Sequence, residues 1–96
     1  MQRIVDAILA GKIRGYSCEE VVNGENMFSQ YAIKKNEASF ICYIFKIPVA
    51  KMILLEGVEV CQSIFNFESL DAAISCVEAN GGNFEKFGVF GGVKPI

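Results

Sequence analysis

The side chains best able to do chemistry in this sequence are four cysteines, Cys18, Cys42, Cys61 and Cys76, and a few carboxylates; histidine is absent. Without histidine the commonest general base is missing, and Ser-His or Cys-His nucleophile systems are excluded outright. Successive cysteines lie 24, 19 and 15 residues apart, so there is no C-x-x-C knuckle. A mixed cysteine–histidine zinc site is ruled out, and an all-cysteine site would need four isolated cysteines to converge. Cys42, Cys61 and Cys76 sit in apolar runs, where free cysteine behaves as a small buried hydrophobe. The expectation is a reduced, cytoplasmic protein with buried thiols. Cys18 falls near a candidate helix N-terminus, a setting that lowers a thiol pKa. With no partner base in view it is only a remote nucleophile candidate.

The carboxylates read as solvated groups. Asp6 and Asp71 suit helix starts or solvated faces, and Glu19-Glu20 and Glu56/Glu59 form the only clusters. Adjacent glutamates on a strand point to opposite faces, so a solvated rim explains them better than a paired acid and base. The glycine-rich run at 88–94 lacks both the spacing of a phosphate-binding loop and a following helix. No catalytic residue, no metal ligand and no cofactor is expected.

Net charge is −2, and the nine Lys and Arg are scattered, with Lys34-Lys35 the only adjacent pair. Nucleic-acid binding draws on a dense basic stripe, so no nucleic-acid partner is expected. Residues 38–55 are about as long as a membrane span but carry Lys46 and Lys51 near the middle, with Pro48 between them. Each such lysine costs roughly 2.5–3.5 kcal/mol on insertion, against about 0.3–0.6 gained per large apolar residue. Two strands with a turn at 46–48 explain the pattern better than insertion does. Asp6 interrupts the apolar stretch a signal peptide would need, so neither export nor a membrane is expected.

Small α+β grammar underlies these residues. Ile4, Val5, Ile8, Leu9 and Ile13 share a helical stripe and predict a helix over 2–13. Ser17-Cys18-Glu19-Glu20 fits a capping box, whereas Val21-Val22-Asn23-Gly24 reads as a strand entering a hairpin turn. The capping box favours one or two helical turns there. Strands are expected over 27–35, 39–47, 52–55 and 58–67, joined by short turns and therefore antiparallel. Ser69 caps a helix over 70–79, whose inner stripe is Leu70, Ala73, Ile74 and Val77 and whose end is Asn80-Gly81. The expected architecture is one α+β domain over 1–96, an antiparallel sheet of three to five strands with both helices on one face. Residues 81–96 form a Gly/Phe-rich tail.

Two features exceed this grammar. The first is strands that are apolar on both faces: Phe40, Cys42 and Ile44 alternate with Ile41, Tyr43, Phe45 and Ile47. A half-solvated antiparallel sheet alternates apolar with polar instead. Apolar residues make up 52% of the 96 residues, and a chain this short buries only about 60–68% of its unfolded surface. The reading is a non-enzymatic interaction module, of adaptor or inhibitor type, that self-associates as a homodimer or larger oligomer through an apolar sheet face and binds a protein partner. The alternative is a binder of an apolar small molecule in a pocket between sheet and helices. Phe40, Tyr43, Phe45, Phe65 and Phe67 are the candidate interface or lining residues for either reading. The second feature is Phe84, Phe87 and Phe90, which recur every third residue in the tail. Backbone ordering costs about 1–2 kcal/mol per residue and a buried phenylalanine returns roughly 1.5–3 kcal/mol. Docking of the tail on its own chain is then near balance, and ordering is expected to need extra contacts, most simply from a second protomer.

Overall fold

The computed structural model describes residues 2–51 and 61–89. Helix α1 (Gln2–Leu9) turns Ile4, Val5 and Ile8 to the core. It stops four residues short of the expected end because Gly11 takes φ 91°, and Gly11 N–H and Lys12 N–H close the helix onto the carbonyls of Ile8 and Ala7. That reversal leaves Leu9 exposed and carries Ile13 to the opposite face of the sheet, against Ala32 and Tyr43.

Four antiparallel strands follow in meander order: β1 (Arg14–Val22), β2 (Glu25–Asn36), β3 (Ser39–Pro48) and β4 (Cys61–Phe67). Residues 16–26 are therefore a hairpin, and the helical turns expected from the capping box do not form. Asn23 and Gly24 take φ 52° and 79°, the left-handed pair of a two-residue turn whose twist matches its strands. The glutamate three residues after Ser17 serves the sheet instead of a helix cap, as shown below. The turn expected at 46–48 is likewise absent: β3 runs through Lys46 to Pro48, and a 3₁₀ turn (Val49–Lys51) follows. The strand expected over 52–55, and residues 58–60 of the last strand, lie outside the described residues.

Helix α2 (Leu70–Ala79) forms where expected. Ser69 Oγ accepts from Ala72 N–H at 3.2 Å, and Asp71 sits in the first turn. Leu70, Ala73, Ile74 and Val77 join Ile8, Tyr31, Ile33, Cys42 and Ile44 in one core. Both helices thus cover the same face of the sheet, the α+β arrangement the sequence implies. No helix among the described residues is long and apolar enough to cross a membrane.

The chain then crosses back to β1. Gly82 passes against Val77 and the Tyr31 ring. Asn83 Oδ1 accepts from Glu85 N–H at 2.9 Å, capping a 3₁₀ turn (Phe84–Lys86), and Phe84 and Phe87 are both buried. Gly88 and Gly15 exchange backbone hydrogen bonds at 2.9 and 3.1 Å. This differs from the expectation that a second protomer orders the tail, since the extra contacts come from the same chain: the double bond to Gly15, the Asn83 cap, and Asn83 N–H donating to Tyr16 OH at 2.8 Å. Phe90 lies outside the described residues.

Gly82 is held to glycine by packing. A Cβ there would lie 2.5 Å from Val77 Cγ1 and 3.0 Å from Tyr31 Cδ1. Gly82→Ala is expected to destabilise the fold by about 1–3 kcal/mol, read as a lower urea midpoint with an unchanged slope.

Candidate functional site

The helix-covered face of the sheet changes character at the end where α2 stops. Paired positions there run Cys18–Ser29–Lys46 across β1, β2 and β3, beside Tyr16–Tyr31 and next to Glu20. The register makes this a polar corner by construction, because every second residue of each strand points to the same face.

Glu20 is its centre. Its Oε2 accepts from Ser29 Oγ at 2.7 Å, from Tyr31 OH at 3.1 Å and from Lys46 Nζ at 3.4 Å, while Cys18 Sγ lies 3.8 Å from Oε1. Lys46 Nζ also donates to the carbonyl of Asn80 at 2.8 Å, and Tyr31 OH is 3.4 Å from the same oxygen. Asn80 is the C-cap of α2, a helix with no basic residue in its own last turn. Lys46, reaching from β3, supplies the positive charge that the negative end of the helix favours. The ammonium also lies 5.5 Å from the centre of the Tyr31 ring, within cation–π range.

Protonation states follow from this geometry. Burial would raise the Glu20 carboxyl, but the hydroxyls of Ser29 and Tyr31 and the Lys46 ammonium outweigh it and hold the carboxyl below its ordinary value. Burial alone would lower Lys46, but Tyr31 and Glu20 together raise it. Tyr31 is raised, mainly by burial. Burial and then Glu20 raise the Cys18 thiol. Cys18 lies within a strand, not at a helix N-terminus, so the feature expected to lower its thiol pKa is missing.

The sequence candidates are split. Phe40, Phe65 and Phe67 share the helix side of the sheet, with Cys42 and Phe65 at paired positions and Phe40 opposite Phe67; Tyr43 and Phe45 are on the other side. They do not form one lining. Tyr43 is only 6% exposed within the single chain, so it belongs to the core. Phe45 is half-buried and meets Phe28 edge to face at 6.2 Å. Phe65 stacks on Phe67 at 6.2 Å and stays 39% exposed. Phe84 and Phe87 meet at 4.9 Å, and Phe87 packs on Tyr16. Cys42 is buried, and burial together with the adjacent Cys76 pushes its thiol up to about 12. The side chain of Cys61 lies outside the described residues.

Elsewhere, an open recess between the β2–β3 turn and the start of α2 is lined by Asn36, Glu37, Ala38, Ser39 and Glu68. Both carboxylates there are exposed to water. Among the described residues, no three cysteine, aspartate or glutamate side chains converge as a metal site would require. No family model matches this sequence, no curated protein is significantly similar to it, and no solved structure matches it significantly.

Sequence reasoning missed Glu20 and Lys46, reading one as part of a solvated rim and placing the other in a turn at 46–48, as a charge that opposes membrane insertion. A retrievable signal existed: once 16–22 is a strand, Glu20 shares a face with Tyr16 and Cys18, and a carboxylate among such neighbours needs donors.

Two outcomes check this site. Glu20 is held below its unfolded value, so its stabilisation is present above the ordinary carboxylate range and is lost as pH falls through the folded pKa. The thermal midpoint should drop on acidification more steeply in the wild type than in Glu20→Gln. Glu20→Ala, which leaves Ser29 without its acceptor and Tyr31 with only the longer contact to the Asn80 carbonyl, should cost about 1–3 kcal/mol at neutral pH. The second outcome concerns thiols: an alkylating reagent followed by mass spectrometry should modify Cys18 and Cys76 well before Cys42. Equal rates for Cys42 and Cys76 would mean that the α2–β3 contact opens readily.

Proposed function

We propose that this chain is a non-enzymatic protein-binding module of adaptor or inhibitor type, which pairs with a second copy of itself through β4 and the apolar face beside it. The observation that carries this reading is the two-sided apolar character of β4. It is the outermost strand on its side among the described residues, with Ile64 52% exposed on one face and Phe65 39% exposed on the other. Edge strands with exposed apolar side chains are templates for pairing unless something blunts them, and patches of this kind mark interaction surfaces. On its face Ile64 adjoins Tyr43, with Ile41, Phe45 and Phe28 half-buried beyond it. A two-fold contact uses each of these residues twice, which is how a small patch gains area.

The polar corner supports the non-enzymatic half of the proposal. Glu20 and Lys46 hold opposite charges against each other, and Tyr31 and Cys18 are held protonated. Their shortest hydrogen bonds run to one another and to the end of α2, which gives these groups a structural role in joining sheet to helix. The small-molecule alternative has less support, since Tyr31, Ile33, Cys42, Ala73 and Val77 pack together between sheet and helices.

Light scattering across a concentration series tests the proposal. The mass should rise from that of one 10.6 kDa chain towards twice that value. Ile64→Lys and Phe65→Lys should shift the rise to higher concentration with little change in the melting midpoint of the monomer. Tyr43→Lys should instead unfold the subunit, because burying an unpaired ammonium costs several kcal/mol. A single-chain mass at every accessible concentration refutes self-association.

A further inference from the structure

The opposite boundary of the sheet is the outer edge of β1. Gly15 turns both its N–H and its C=O outward, to Gly88. Pairing of β1 with β2 is regular from Arg14 to Val22, so the direction of the backbone groups alternates without interruption. Tyr16, Cys18, Glu20 and Val22 therefore bond inward to β2. Ser17, Glu19 and Val21 present their N–H and C=O groups outward, as Gly15 does. The two-residue turn agrees, because its closing pair Val22–Glu25 is the hydrogen-bonded kind. Among the described residues, no backbone partner reaches Ser17, Glu19 or Val21 on that side. Their side chains are exposed, Val21 by 69%.

The edge also carries a charge pattern that selects its occupant. In two antiparallel copies of β1 that use all three outward residues, Ser17 faces Val21 and Glu19 faces the Glu19 of the other copy. Like charges directly opposite are destabilising, and the tail already occupies Gly15, which prevents a slide towards the N-terminal end. A cationic side chain at that central position would be favoured instead, with an apolar β-branched neighbour covering Val21.

We propose that the outer edge of β1 from Ser17 to Val21 takes an extended segment of another protein as a fifth strand, with lysine or arginine opposite Glu19. This is β-strand addition, in which main-chain bonds give affinity and alternate side chains give specificity. The proposal rests on the protein-binding reading above and supplies the chemistry of the partner, at an edge distinct from β4.

The test uses the full chain carrying Ile64→Lys, so that self-pairing along β4 is suppressed and its failure does not affect the result. Two acetylated seven-residue peptides of alternating Thr and Val serve as probes, one with lysine and one with glutamate at the centre. Amide hydrogen exchange is read by NMR. The lysine peptide should slow exchange at Ser17, Glu19 and Val21 and leave Tyr16 and Cys18, already bonded to β2, unchanged. The glutamate peptide should bind several-fold more weakly, and Glu19→Lys should reverse that preference. Val21→Pro removes an outward donor without breaking a bond to β2, so it should weaken binding of the lysine peptide. If that variant does not fold, the exchange pattern and the Glu19→Lys reversal decide alone. The proposal is overturned if the three amides are already as slow as Tyr16 without peptide, or if their protection grows with protein concentration alone. It is overturned equally if the two peptides bind alike, or if neither changes exchange.

Discussion

A single buried phenol organises this fold. Tyr31 is fully buried at the middle of β2, and a hydroxyl out of water must find partners or cost several kcal/mol. Its ring takes Tyr16 at 5.2 Å on one side and the backbone of Gly82 on another, while its oxygen reaches Glu20 and the end of α2. Each contact comes from a different part of the chain: the first hairpin, the helix end, the strap that returns to β1. Lys46 completes the arrangement by neutralising Glu20 and capping α2 together. No buried side-chain polar atom among the described residues is left without a partner, which is what such a corner requires to be stable.

That organisation explains which parts of the structure were legible in the sequence. Helix α2 was readable to the residue because its signals are local: a serine cap, an apolar stripe and an Asn-Gly stop all lie within a dozen positions. The antiparallel sheet was readable because each strand pairs only with its sequence neighbour. Residues 16–26 were misread because Ser17 and Glu20 satisfy a capping box at the level of letters, and Asn-Gly ends helices as well as making hairpins. Tertiary demand decided between them, since Glu20 has Ser29, Tyr31 and Lys46 to bond only if the segment is a strand. Lys46 was illegible for the same reason. Its value lies in the carbonyl of Asn80, 34 positions away, and no local pattern announces that.

The apolar excess on both faces has a divided explanation. Ile13, thrown across the sheet by the reversal at Gly11, packs with Ala32 and Tyr43 on the face away from the helices. Ile47 is buried on that face as well. Part of what resembled an unpaired face is therefore ordinary core, and among the described residues of β3 and β4 the exposed surplus contracts to Ile64, Phe65 and their half-buried neighbours. Polar chemistry is drawn inward to hold the layers together, while apolar surface is left at the sheet boundary.

The bond between Gly15 and Gly88 also has a consequence for how the molecule assembles. The meander β1-β2-β3 needs only short loops to close and can form as the chain emerges from the ribosome, whereas the bridge at Gly15 closes a loop of 73 residues. Closing it is entropically expensive and late. Until residue 80 has been made the polar corner lacks the carbonyl of Asn80, and until residue 87 has been made Tyr16 lacks the cover of Phe87. A nascent chain thus carries its first hairpin with one side unfinished while residues 37–87 are made, and the segment from Gly82 to Gly88 acts as the latch that retires that exposed surface.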